Sequence, residues 1–187
     1  MRILKPLAAL LIALCGIPLW AQQPGSVEIA GGYVYTRSNA PPGQCGCFSM
    51  NGGMAEVSTL VKRNFAVVAN FAAATNGSIN GTGISLTEIT YLFGPRLRWQ
   101  NRSRLVPFAE VLLGGAHASG SNRANGSALG FAAGGGIDVR ARQRLAIRPF
   151  DFDYVFTRFA NGVNSQENHL RLSVGIVVSL RRPGGNK

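Results

Sequence analysis

The sequence predicts an all-β fold, an eight-stranded antiparallel up-and-down transmembrane β-barrel. Three observations carry that prediction. Eight segments alternate apolar and polar residues with period two, the pattern of a strand with two unlike faces. Their connections alternate between short basic turns and longer Gly/Asn/Ser-rich links. Charged residues make up 14% of the chain, against about 25% in ordinary soluble domains.

The first segment is not part of the fold. Met1-Arg2-Ile3-Leu4-Lys5 is basic, Leu7 to Leu14 is apolar, and Ile17-Pro18-Leu19-Trp20-Ala21 offers a cleavage region. That layout predicts a secretory signal peptide over 1–21, too short to span a bilayer as a helix. Acylation of Cys15 is disfavoured because Leu14 precedes it where a small residue is wanted. The barrel is expected over 22–182, with a short basic tail over 183–187.

The strands follow in order. Val27 to Thr36 sets Val27, Ile29, Tyr33 and Tyr35 against Glu28, Ala30, Gly32 and Val34. Met54 to Val61 sets Ala55, Val57, Thr59 and Val61 against Met54, Glu56, Ser58 and Leu60. Phe65 to Thr75 sets Phe65, Val67, Ala69 and Phe71 against Ala66, Val68, Asn70 and Ala72. Ser85 to Trp99 sets Ile89, Tyr91, Phe93, Leu97 and Trp99 against Glu88, Thr90, Gly94, Arg96 and Arg98.

The second half repeats the scheme. Leu105 to Ala116 sets Ala109, Val111 and Leu113 against Phe108, Glu110, Leu112 and Gly114. Ala128 to Arg140 sets Leu129, Phe131, Ala133, Ile137 and Val139 against Gly130, Ala132, Gly134, Gly136 and Asp138. Leu145 to Phe159 sets Phe150, Phe152, Tyr154 and Phe156 against Asp151, Asp153 and Val155. Strict alternation leaves Arg148 on the apolar face, unless Pro149 marks a bulge that resets it. His169 to Leu180 closes the set, with Arg171 on the polar face. That strand must pair back to Val27–Thr36 to remove both sheet edges.

The links read equally well. Lys62-Arg63-Asn64, Gln100 to Arg104 and Ala141 to Arg144 are short, whereas 37–51, 76–83, 119–127 and 160–168 are long. Asn-Gly pairs at 51–52, 76–77, 80–81, 125–126 and 161–162 fall in or beside the long links and are read as turn formers.

Two barrels of opposite sense share this periodicity. A soluble barrel would turn its apolar face inward, and a membrane barrel would turn it to lipid. The polar face decides. It is Gly, Ala, Ser and Thr with isolated charges, Glu28, Glu56, Glu88, Glu110, Asp138, Asp151 and Asp153 against Arg96, Arg98 and Arg171. Small residues suit a narrow interior, where charges must pair because burying one alone is costly. Tyr33, Tyr35, Phe65, Trp99, Tyr154 and Phe156 lie near strand ends on the opposite face, where interfacial aromatics belong.

On these residues the chain resembles the small outer-membrane barrels of the outer-membrane protein A/X type. Pro107-Phe108-Ala109-Glu110, Gly134-Gly135-Gly136-Ile137-Asp138 and His169-Leu170-Arg171-Leu172-Ser173-Val174-Gly175 carry the likeness. The resemblance spans about residues 26 to 180. It implies the outer membrane of a Gram-negative envelope, and a final strand read by the barrel assembly machinery. In this chain that strand ends on Leu180 rather than on an aromatic residue.

Function is less legible. Removing Arg2 and Lys5 from the net charge of +11 leaves +9. The basic groups fall between strands rather than clustering with aromatics, so no nucleic-acid partner is expected. The turn cations Lys62, Arg63, Arg102, Arg104, Arg140, Arg142 and Arg144, with Arg181, Arg182 and Lys187 of the tail, are expected on the periplasmic side, either as solvated rim charge or gripping inner-leaflet phosphates. Cys45-Gly46-Cys47 is a candidate disulfide, since export favours oxidation, and it offers too few ligands for a metal. No metal or cofactor is expected. His117 and Ser119 form the one candidate catalytic pair, as in lipid A-modifying barrels, because a histidine can deprotonate a serine hydroxyl. A third group to orient the histidine is missing nearby. The expectation is therefore a monomeric, non-enzymatic barrel with a structural or surface-interaction role among outer-membrane lipids and lipopolysaccharide. Its interior charges form a network and its loop ligand is unidentified. A narrow ion channel and a lipid A-modifying enzyme are the alternatives.

Overall fold

The computed structural model describes residues 26–39, 47–81, 83–100, 103–121, 125–158 and 167–180. Eight strands run in chain order: β1 (Val27–Asn39), β2 (Cys47–Lys62), β3 (Phe65–Asn76), β4 (Leu86–Arg98), β5 (Leu105–Gly120), β6 (Asn125–Arg142), β7 (Leu145–Arg158) and β8 (Glu167–Ser179). A single 3-10 turn, Ile79–Gly81, lies between β3 and β4. Each strand pairs antiparallel with its sequence neighbours, and β8 pairs with β1 from Glu28↔Ser179 to Ser38↔His169. The barrel is closed and no strand edge is left open.

The alternation sets the two faces. Ile29, Val57, Val67, Phe71, Phe93, Val111, Leu113, Phe152, Leu172 and Ile176 point outward. Their exposure would be untenable in water over so continuous a surface, and it is the surface a bilayer requires. Phe71 and Phe93 meet edge-on across β3 and β4, with ring centroids 5.8 Å apart. Towards the long-link end the tyrosine hydroxyls bond polar neighbours. Tyr33 donates to Asn51, Tyr35 shares a bond with Ser49 at 2.8 Å, and Tyr154 donates to Asn168 at 2.5 Å. Trp99 is exposed just beyond β4 at the opposite end. Amphipathic rings therefore mark both interfaces.

Several strands run further than the alternation predicts. β1 and β2 continue pairing to Asn39↔Cys47, so much of the link expected over 37–51 is strand. Asn51-Gly52, read as a turn former, lies within β2 opposite Thr75 and Ala74. β5 reaches Gly120 and β6 starts at Asn125, which narrows the 119–127 link. The Asn-Gly pair at 76–77 ends β3, with Asn76 Oδ1 accepting from the Ser78 N–H at 2.8 Å, and the pair at 80–81 makes a turn with Gly81 at φ 77°, while 161–162 lies outside the described residues. Two of the short basic turns are tight hairpins, with Arg63-Asn64 joining β2 to β3 and Gln143-Arg144 joining β6 to β7, and the third includes 101–102, outside the described residues.

Arg148 corrects the strict alternation. The register of β7 against β8 shifts between Arg148 and Asp151, a bulge at Pro149. Proline has no N–H to give the ladder, so a bulge is where it fits. The bulge turns Arg148 into the lumen while Phe150 stays on the lipid face.

Candidate functional site in the barrel lumen

An eight-stranded barrel has an interior about wide enough for side chains to fill, and this one is filled in layers. At the long-link end Val34, Phe48, Met50, Ala74 and Ile79 form an apolar plug, with Leu86 packed against it. A second apolar layer, Val68, Leu92, Leu112, Ala132 and Val155, is supplied by five consecutive strands. Most of the buried charged groups lie outside these two clusters.

The central cluster surrounds Arg96 and Arg148. Arg96 donates to both oxygens of Glu56 at 2.6 and 2.7 Å, and its Nε donates to Glu110 at 2.6 Å. Arg148 donates through Nε to Asp138 at 2.8 Å, and through Nη1 to Glu56 at 3.2 Å and Asp151 at 3.3 Å. Asn70 adds a bond to Glu56 at 3.3 Å. Both guanidiniums lie over the ring of Phe108, 4.3 and 4.6 Å from its centroid. Gly136 makes room for that ring, since a Cβ there would lie 2.9 Å from the Phe108 ring tip and 2.5 Å from the Phe150 carbonyl oxygen.

Two further groups flank the centre. Arg98 pairs with Glu28 at 2.6 Å and lies 3.6 Å from Asp138. Arg171 pairs with Asp153 at 2.7 Å and reaches the Thr90 hydroxyl at 3.4 Å. His169 lies above, bonded through Nδ1 to Ser38 at 2.6 Å and through Nε2 to Thr157 at 3.0 Å, with Glu88 3.8 Å away. A cavity of about 20 Å³ beside Glu88, Thr90, His169 and Arg171 has room for about one water molecule.

The lumen thus brings together Glu28, Glu56, Glu88, Arg96, Arg98, Glu110, Asp138, Asp151, Asp153 and Arg171. Alternation did not place Arg148 among them, and nothing in it assigned roles to Asn70 or Phe108. The bulge that Pro149 offered in the sequence is what brings Arg148 into the lumen. Oxygens of Glu56, Glu110 and Asp151 converge within 4.8 Å of one another, the spacing of a cation site. The guanidiniums of Arg96 and Arg148 bond all three carboxylates, so the positive charge such a site needs is already there.

The chain's eight carboxylates, counting Glu167 at the mouth with Oε2 3.9 Å from His169, all lie on the inward side. The outer wall has none. The candidate pair His117 and Ser119 is not joined by a hydrogen bond. His117 and Ser119 lie on the outward face of β5, and the His117 Nδ1 bonds Ser127 across the strand pair at 3.0 Å, not Ser119. No Asp or Glu shares that face to orient the ring. Cys45 and Arg102 lie outside the described residues, so the disulfide expectation with Cys47 has no geometry here.

The short-turn end is open. A vestibule of about 640 Å³ there is lined by Glu28, Arg98, Asp138, Arg140, Arg142 and Arg144, with Ser26, Ser179 and the apolar Leu60, Val106 and Val177.

Comparison with solved structures supports this architecture. The attachment invasion locus protein Ail of Yersinia pestis superposes with TM-score 0.62 at 15% identity, over 84% of this chain and 100% of Ail. Neisserial surface protein A superposes with TM-score 0.63 at 13% identity, over 82% and 97% of the two chains. The outer membrane protein OprG of Pseudomonas aeruginosa gives 0.53 at 10% identity, over 85% and 97%. No protein-family model and no curated protein sequence matches the chain. At these identities the likeness is one of fold, and the fold is that of the small eight-stranded outer-membrane β-barrels.

Proposed function

We propose that this chain is a monomeric, non-conducting barrel of the outer membrane that acts as a rigid platform for surface interaction, without catalysis. One observation carries the reading. At mid-lumen Glu56, Arg96, Glu110, Arg148 and Asp151 are each at most 3% exposed, with an apolar layer between them and the long-link end. Ions need a continuous hydrated path. Here the polar groups bond one another instead.

The long-link end is the side suited to contact. Its exposed described residues are mostly polar and carry little charge, and loops on a rigid scaffold commonly hold binding function. Two relatives by fold are named for attachment and for the cell surface, which supports the same assignment. The surrounding partners would be outer-membrane lipids and lipopolysaccharide along the apolar wall, with the barrel assembly machinery inserting the chain. The inward placement of every carboxylate supports the non-enzymatic reading, because His117 and Ser127 have no acid to complete a triad.

Planar-bilayer recording on the refolded protein tests the closed lumen. No unitary conductance is expected, and reproducible steps would overturn the reading. A non-specific protease added to intact cells tests the orientation. Cleavage between Asn39 and Cys47 is expected, with the barrel core protected, and protection of that segment would reverse the assignment.

A further inference from the structure

We propose that the vestibule at the short-turn end is a binding site for a compact phosphate-type polyanion. Four arginines line it: Arg98 at the floor, and Arg140, Arg142 and Arg144 from the end of β6 and its turn to β7. Their surroundings differ. Arg98 is 6% exposed and is spent in part on Glu28 and Asp138, yet its buried Nε has no partner. Arg140, Arg142 and Arg144 make no carboxylate contact among the described residues.

The two acids of the vestibule are occupied within the lumen. Glu28 accepts from Arg98 at 2.6 Å and from Ser179 at 3.2 Å, and Asp138 accepts from Arg148 at 2.8 Å. Four guanidiniums against two engaged carboxylates leave the mouth positive. Leu60, Val106, Leu145, Ala146 and Val177 supply low-dielectric walls, which concentrate the field of one-signed charge in a cleft. Guanidinium forks match phosphate oxygens in pairs, so an arginine set favours phosphate over a simple halide. The volume suits a small ligand rather than an extended polymer. The same chemistry would serve a free phosphate compound or the headgroup of an anionic phospholipid.

The test uses the full mature chain refolded in zwitterionic detergent, titrated calorimetrically with inorganic pyrophosphate at physiological salt. One probe per molecule is expected to bind, with at least a tenfold loss of affinity in the triple variant Arg140→Gln, Arg142→Gln, Arg144→Gln. Lys62→Gln with Arg63→Gln, on another turn of the same rim, should bind like wild type. A parallel arm measures binding to phosphatidylglycerol and phosphatidylcholine vesicles. Competition of pyrophosphate with phosphatidylglycerol, lost in the triple variant, would assign the site to headgroups. Pyrophosphate binding without such competition would assign it to a free phosphate compound.

Heat-modifiable gel mobility monitors folding of each variant. Should the triple variant fail to refold, Arg142→Gln alone is expected to lower pyrophosphate affinity at least threefold. No saturable binding of either probe, equal loss in the two multiple variants, or wild-type affinity in Arg142→Gln used alone would overturn the proposal.

Discussion

The central cluster makes a prediction whose sign separates two kinds of buried charge. Arg148 touches Asp138, Glu56 and Asp151 at 2.8, 3.2 and 3.3 Å and is 1% exposed. Arg148→Met keeps the length and the packing on Phe108 but leaves Glu56, Glu110, Asp138 and Asp151 with Arg96 and the edge of Arg98. Removing one partner of a buried pair costs about 3–5 kcal/mol, because the opposite charge remains and cannot be solvated. Asp151→Asn acts on the same contact from the other side. Asp151 has a single ion contact and one oxygen without a partner, in a lumen where carboxylates outnumber guanidiniums. The amide can still accept from Arg148, so a change of about 1 kcal/mol or less is expected. The double variant should recover part of the Arg148→Met loss, with a coupling of about 0.5–3 kcal/mol. Urea unfolding in lipid vesicles, followed by Trp99 fluorescence and gel mobility, measures all three. If Arg148→Met proved no costlier than Asp151→Asn, unpaired buried charge would not govern this lumen.

Two further substitutions probe the faces separately. Val111 lies mid-strand on the outward side of β5 at 44% exposure, so Val111→Arg should cost about 2–4 kcal/mol in vesicles, the cost of a cation near the bilayer midplane. A loss under about 0.5 kcal/mol would show that this face does not meet lipid. Gly136→Ala puts a methyl group against the Phe108 ring and the Phe150 carbonyl, and backbone cannot yield as a side chain can. Overpacking of that kind costs about 1–3 kcal/mol, read from the same urea transitions, and an unchanged midpoint would show that the ring has room to move.

The faces of the strands were legible because a barrel imposes period two on every residue of every strand. A one-residue error would send a carboxylate into lipid, so sequence and register hold each other in place. Arg148 escaped because the bulge at Pro149 breaks that period within a single strand. Strand length was legible only where lipid demands apolar residues. Beyond the bilayer Arg37 and Asn39, and Cys47 and Ser49, pair as strand with no apolar outward face to announce it. An inward signal was present there, since Phe48 and Met50 alternate with polar neighbours and supply the upper plug. The partners of the charges could not be read at all. Arg148 and Glu56 are 92 positions apart on strands that are not neighbours, and Arg98 and Glu28 are 70 apart. Alternation says which residues enter the lumen, and only the closing of the barrel decides which of them meet.

The order of the layers makes the two ends of the lumen unlike. From the long-link side, an entering solute meets the plug of Val34, Phe48, Met50, Ala74 and Ile79, then the layer around Leu92 and Leu112. From the short-turn side it meets a vestibule whose floor is the Arg98–Glu28 pair. Among the described residues the polar mouth therefore lies towards the basic turns, and the apolar layers lie towards the long links. The partition of charge has the same direction. Carboxylates are withdrawn into the wall's interior, while Lys62, Arg63, Arg104, Arg140, Arg142 and Arg144 stay at the turn end. Because the lumen consumes every acid the chain has, none is left to neutralise that rim. The excess positive charge follows from how the interior is closed, and it leaves the turn end suited to anionic partners.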